Sequence, residues 1–158
     1  MSLSEFEIIS RYFNQSGLAS APDDSNIPLG IGDDCALIKV PQQHRLAVSM
    51  DLLCAGVHFP REAAPDDIAT RALAVNLSDL AAMGATPAGF TLGLSLPVCE
   101  PVWLESFSEG LKHLAQRYRC PLIGGDITRG ESLVIAIQVH GYVHEDFALY
   151  RHGARPGD

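Results

Sequence analysis

Four aspartates in this chain stand in surroundings that are unusual for a solvated carboxylate. Asp34 follows Gly30-Ile31-Gly32-Asp33, Asp51 closes an alternating run, Asp79 lies in the apolar stretch Ala74–Gly84 (AVNLSDLAAMG), and Asp126 ends Gly124-Gly125-Asp126. If the four converge, their mutual repulsion requires cations. Mg²⁺ suits such a set, since it takes hard oxygen ligands, one or two carboxylates per ion, with waters and phosphate oxygens completing the shell. The chemistry this points to is the handling of phosphates. Each feature also has a plainer reading: GDD and GGD are ordinary turn material, and an aspartate on a helix is ordinarily solvated. Asn76 and Asp79, three residues apart, share a helix face. Asp33 and Asp34 alternate in an extended segment, so only one faces a given site. Gly30, Gly32, Gly124 and Gly125 let backbone approach a ligand closely.

The elements that must position these residues follow from periodicity and end signals. Ser4-Glu5-Phe6-Glu7 is a capping-box pattern, and Phe6, Ile8, Ile9, Tyr12 and Phe13 supply a helical stripe ending near Asn14–Gly17. Leu18–Leu29, with Pro22 and Pro28, reads as a loop. Cys35–Val40 is expected as a short strand and Arg45–Asp51 as the next, with Leu52–Phe59 a further strand or a bent extension. Pro65-Asp66-Asp67 signals a helix start, and the helix runs from about Asp66 to Met83 with Gly84 as its stop. Ala88–Leu96 is expected as a strand, Pro101–Tyr118 as an amphipathic helix with Trp103, Leu104, Phe107, Leu111 and Leu114 inward, and Cys120–Ile123 as a short strand stopped by Gly124-Gly125-Asp126. Ser132–Val143 alternates over a long span, and Leu149–Arg151 adds a little more. This order is neither all-β nor a regular βαβ repeat, and it predicts an α+β fold.

With 158 residues, 47% of them apolar, the chain supports its own core. Nineteen acidic against eleven basic residues give a net charge of −8, which disfavours a general nucleic-acid binder and suits a collector of divalent cations. The scattered cysteines Cys35, Cys54, Cys99 and Cys120 form no CxxC pair and read as buried thiols of a reducing compartment. No signal peptide or membrane-length apolar run is seen, so a cytoplasmic protein is expected. Neither GxxxxGK[ST] nor a strand-to-helix GxGxxG is present. Residues 1–152 are expected to form one domain, and 153–158 (GARPGD) the start of a linker to a C-terminal domain.

Four linked segments, GIGDDCALI (30–38), SMDLLCAGVHF (49–59), NLSDLAAMGATP (76–87) and IGGDITRG (123–130), match thiamine-monophosphate kinase in order and spacing, and the chain resembles that family over essentially its whole length. The family belongs to a wider group with aminoimidazole-ribonucleotide synthetase and selenophosphate synthetase. The resemblance implies an α+β N-terminal domain, a mixed or antiparallel sheet packed with helices, and strands that pair across a homodimer. It also implies Mg²⁺-assisted transfer of the ATP γ-phosphoryl group to thiamine monophosphate. Asp34, Ser49, Met50, Asp51, Asp79 and Asp126 would then hold several Mg²⁺ ions, Met50 where the family usually has Thr. His58 would touch the thiamine substrate, and Gly125, Asp126 and Arg151 the ATP. Asp51, Asp79 and Asp126 would act in catalysis through metal, and Ile127 stands where the family has Thr. Without a second domain this length of chain is expected to be inactive. The alternatives are another ATP-using synthetase of the same group and a non-catalytic module that dimerises and binds Mg²⁺-nucleotide.

Overall fold

The structure, a computed structural model, describes residues 4–15, 17–19, 25–155 and 157. The centre of the expected Leu18–Leu29 loop, and residues 156 and 158 of the expected linker, lie outside the described residues.

The chain opens with α1 (Glu5–Ile8), and the capping box forms in full: the Ser4 amide donates to Glu7 Oε2 at 2.7 Å and the Glu7 amide to Ser4 Oγ at 3.3 Å. The Ser4 amide and the Ser4 hydroxyl, which both donate to Glu7 Oε2, stabilise the charged carboxyl and lower the pKa of Glu7. The helix then widens into a π-helical turn, Ile9–Phe13. Ile8, Tyr12 and Phe13 are buried, but Phe6 is 82% exposed and does not belong to the inward stripe.

A four-stranded mixed sheet carries the rest, built from β1 (His44–Cys54), β2 (Thr86–Leu96), β3 (Leu122–Arg129) and β4 (Val134–His144), in the order β1-β4-β2-β3. β4 pairs antiparallel with both β1 and β2, while β2 and β3 are parallel. The parallel pair is joined by α3 (Pro101–Tyr118), as a parallel connection requires a crossover. With α2 (Pro65–Ala82) it covers one face of the sheet, and the core between helices and sheet is made by side chains such as Leu73, Leu80, Phe90, Phe107, Ile137 and Val139. α2 starts on Pro65 with Asp66 and Asp67 in its first turn, and Gly84 past its end has φ +69°, the left-handed conformation that glycine adopts freely.

The opposite face of the sheet is open. On β1, Leu46, Val48, Met50 and Leu52 project from it and are 41 to 56% exposed. The alternation of β4 separates the two faces: Ile135, Ile137 and Val139 are buried under the helices, and Gln138 and His140 are on the open side.

Several local expectations are corrected. Cys35–Val40 is not a strand but an irregular segment with isolated bridges, Leu29 with Leu37 and Ile31 with Asp33. The Gly124-Gly125-Asp126 run does not stop β3. It lies inside that strand, where a Cβ on Gly125 would sit 2.0 Å from the Leu92 carbonyl oxygen, so glycine is what lets the strand pass. After Cys54 the chain turns, closing with a bridge between Ala55 and Phe59, in place of a further strand. Leu149–Arg151 adds no strand either, since Arg151–Gly153 is a short 3-10 turn. All four cysteines are free, and only Cys120 is fully buried, its thiol pushed up to about 12 by burial; Cys35 and Cys99 are exposed.

Candidate functional site

β1 and α2 together build a linked polar arrangement. Ser49 and Asp51 are two residues apart on β1 and face α2, while Asn76 and Asp79 are three apart on α2 and face β1. Ser49 Oγ donates to Asp79 Oδ2 at 2.6 Å, and the Asp51 amide donates to Asn76 Oδ1 at 3.1 Å. The Asn76 side-chain amide donates in turn to the Ala72 carbonyl at 2.9 Å. Asn76 is 0% exposed, so both ends of its side-chain amide are satisfied, as a buried polar group requires. The helix face shared by Asn76 and Asp79 therefore exists, and its work is to lock strand to helix so that Ser49, Asp51 and Asp79 sit at one edge. Asp79 itself is exposed, which is how this carboxylate avoids the cost of burial.

Two cavities adjoin the sheet. One, about 770 Å³, is on the open face and is lined by Gly30, Gly32, Asp33, Asp34, Gly124, Gly125 and Asp126, with Phe6, Ile9 and Phe13 of the N-terminal segment and Thr91, Gln138 and His140 of the sheet. Asp33 and Asp34 both line it, against the expectation that only one would. The segment is bent and not extended, and the Asp34 amide donates back to Asp33 Oδ1 at 2.8 Å. The other, about 800 Å³, lies across β1 and the end of α2 and is lined by Ser49, Asp79 and Arg151, among others. The register explains the division. Asp126 of β3 is opposite Gly93 of β2 and one residue from Ile127, whose side chain packs against the core, so Asp126 takes the open side.

One chain thus brings together Asp34 with Gly125 and Asp126, and separately Ser49 with Asp79 and Arg151, with Asp51 beside the second group. Among the described residues no set of three or more His, Cys, Asp or Glu side chains is close enough to hold one ion. Met50 points away from Ser49 and Asp51, onto the open face, at 56% exposure. His58 lies in the turn after β1, exposed, and its Nδ1 accepts the Cys54 amide at 3.0 Å. An Nδ1 that accepts this bond leaves Nε2 as the ring's donor.

The donor chemistry fits Mg²⁺. Every candidate offers a hard oxygen, and an ion that keeps waters and phosphate oxygens needs only one or two carboxylates from the protein. Sequence reasoning did not identify the support given by Asn76 or the cavity position of Gln138 and His140. The signal for Asn76 was in the helix spacing; the last two sit in an alternating strand whose open side nothing in the sequence distinguishes.

Comparison with known proteins adds to this geometry. The thiamine-monophosphate kinase of Escherichia coli K12 is 51% identical over all 158 residues, which make up 47% of that protein, so the chain spans about half the length of the curated relatives it matches. The crystal structure of thiamine-monophosphate kinase from Stenotrophomonas maltophilia K279a superposes with a TM-score of 0.76 at 48% identity, covering 82% of this chain and 40% of that one. AaThiL complexed with AMPPCP and TMP superposes with a TM-score of 0.69 at 34% identity, covering 81% of this chain and 41% of that one. The family model for AIR synthase related protein, N-terminal domain, matches residues 32–143. The chain belongs to the AIR synthase related family, through the N-terminal domain its members share.

Proposed function

We propose that the whole protein carrying this chain transfers the γ-phosphoryl group of ATP to thiamine monophosphate, giving ADP and thiamine diphosphate. In that step the bond from the γ-phosphorus to the β,γ-bridging oxygen breaks, and a bond from the γ-phosphorus to an oxygen of the acceptor phosphate forms. The observation that carries the reading is the Ser49–Asp79 pair with Asp51 beside it, held by Asn76 and facing the cavity that Arg151 lines. Its support is the 51% identity to a thiamine-monophosphate kinase over every residue of the chain.

The residues have separable tasks. Arg151, which lines the second cavity, is suited to phosphate oxygens. Gly125, without a side chain, lets nucleotide phosphate approach the backbone beside Asp126. His58 presents its Nε2–H to the thiamine substrate. Asp34, Ser49, Asp51, Asp79 and Asp126 would hold Mg²⁺, and Met50 could add only its backbone carbonyl. When bound, Mg²⁺ lowers the repulsion between two polyanions and neutralises charge as the phosphoryl group moves. No strong general base is needed, because the acceptor phosphate has its second pKa near 6 and is largely deprotonated at neutral pH.

The two groups of acids lie on different faces of one chain, and a homodimer offers a way to complete the site. The apolar row Leu46, Val48, Met50 and Leu52 lies on β1, an edge strand, and exposed apolar area of this kind marks an interface. A second copy is the occupant we assign to it. The remaining length of the curated relatives is the natural source of further contacts from a second domain after residue 152. Four free cysteines support a reducing, cytoplasmic setting, and no helix among the described residues is long and apolar enough to cross a membrane.

The test is turnover of ATP and thiamine monophosphate by the whole protein. Asp51→Ala is expected to lower kcat by at least about a thousandfold, comparable to the loss of a principal electrostatic group. Near-normal turnover in that variant would remove the reading.

A further inference from the structure

At the corner of the sheet where β1 begins and β4 ends, two histidines with no part in the roles above face each other. His44 and His144 are directly opposite in the β1–β4 register, and their ring centroids are 5.4 Å apart with the planes at 77°. The corner is fastened on both sides of the pair. The Glu145 amide donates to the Gln43 carbonyl at 3.0 Å, and the Phe147 amide to the His144 carbonyl at 3.0 Å. The Phe147 ring backs the His144 ring at 4.9 Å. Both histidines are half-buried, so a small solute reaches them, and the exposed Glu145 and Asp146 place negative charge alongside.

The spacing is that of two imidazoles on one metal ion. A Zn–N bond of about 2.0–2.1 Å puts each ring centroid about 3.2 Å from the ion, and tetrahedral geometry then separates the centroids by about 5.2 Å. A histidine centroid lies near the Cβ–Cγ axis. Turning the ring about that soft torsion therefore aims a lone pair and leaves the separation nearly unchanged. The groups behind the rings suit the same role. His44 Nδ1 is 2.8 Å from the Gln42 carbonyl oxygen, where only a donated N–H bonds, so Nε2 carries the lone pair. His144 Nδ1 accepts the Asp146 amide at 3.3 Å and lies 4.0 Å from Asp146 Oδ2. With a metal on Nε2 the ring proton moves to Nδ1, and the Asp146 carboxylate is in reach to accept its hydrogen bond in place of the amide. A carboxylate so placed orients a ligating histidine and raises its basicity. Imidazole nitrogens select borderline ions, whereas Mg²⁺ takes oxygen.

We propose that His44 and His144 form a two-histidine site for one divalent transition ion of the Zn²⁺ or Cu²⁺ class, with water completing the shell and Asp146 holding the His144 ring. Two protein ligands make a site of modest affinity, separate in place and in donor chemistry from the oxygens assigned to Mg²⁺. The pair lies past Leu46, at the end of the apolar row given to a second copy, and an ion seated between two rings adds no bulk to that face. When filled, the site ties the first residue of an edge strand to its neighbour and stabilises the fold at this corner. It stands independently of the phosphoryl transfer.

Titration of the whole protein with Zn²⁺ in excess Mg²⁺, which occupies the oxygen sites, tests it. Wild type is expected to bind one equivalent per chain that His44→Gln and His144→Gln each bind at least about tenfold more weakly, with a smaller loss in Asp146→Asn. With Cu²⁺ in its place, electron paramagnetic resonance of wild type should show two coordinated imidazole nitrogens from this pair, and each histidine variant one fewer. Zn²⁺ should raise the thermal midpoint of wild type and not that of His44→Gln. Equal Zn²⁺ affinity and stoichiometry in wild type and both histidine variants, or a Cu²⁺ spectrum that neither variant changes, would overturn the proposal. If His144→Gln does not fold, His144→Phe, which keeps a ring against Phe147, carries the same readout.

Discussion

At the scale of single residues, the support behind the acids matters as much as the acids. Asn76 satisfies a strand amide and a helix carbonyl from a fully buried position. Asn76→Ala leaves the amide of Asp51 without its partner, and unfolding in urea should show a loss of about 2–3 kcal/mol. Turnover in the whole protein should fall as well, because Asp51 is positioned by that bond. Burial of His140 has an acid-side consequence. Burial lowers its pKa in the fold, so as pH falls below the ordinary value of about 6.5 the unfolded chain takes up the proton first. The contribution of this residue to stability is thus complete above that pH and is lost as pH falls through the folded pKa. Denaturant midpoints measured from pH 7 to 5 should decline more steeply in wild type than in His140→Gln.

At the scale of elements, the sheet sorts the acids and the helices pack on one of its faces. The pairing of α2 with α3 depends on Gly110, where a Cβ would meet the Asp66 carbonyl oxygen at 2.7 Å and the Ala69 Cβ at 3.0 Å. Gly110→Ala must push the helices apart, and about 1–3 kcal/mol of stability should go with it, read as a lower midpoint in thermal or chemical unfolding. The helix boundaries were largely legible in sequence, because Pro65 with Asp66 and Asp67, and Gly84, are strong local signals. The strand through Gly124-Gly125-Asp126 was not. Glycines ordinarily weaken a strand, and only the close passage of the Leu92 backbone explains why Gly125 is needed inside this one.

For the whole molecule, the open face of the sheet is the feature a single chain leaves unfinished. The proposed pairing predicts that wild type sediments as a dimer and that Val48→Glu, which places a charge in the exposed apolar row, shifts it to monomer with the helical core intact. A wild type that sediments as a monomer at micromolar concentration would remove the second copy from the account. The same measurement bears on the acids, since Asp34 with Asp126 and Ser49 with Asp79 occupy different faces of one chain.

Local chemistry was available from the sequence alone: the capping box at Ser4, the ends of α2, the alternation of β1 and β4, and the identity of the acids, each set by interactions within a few residues. Which acids meet was decided only by the tertiary structure. A strand presents alternate residues to opposite faces, so placing Asp126 on the open side and Asp51 on the helix side depends on strand register and on the bulge between Phe90 and Thr91. Those are long-range pairings, and they follow from how the core closes, which no window of sequence contains.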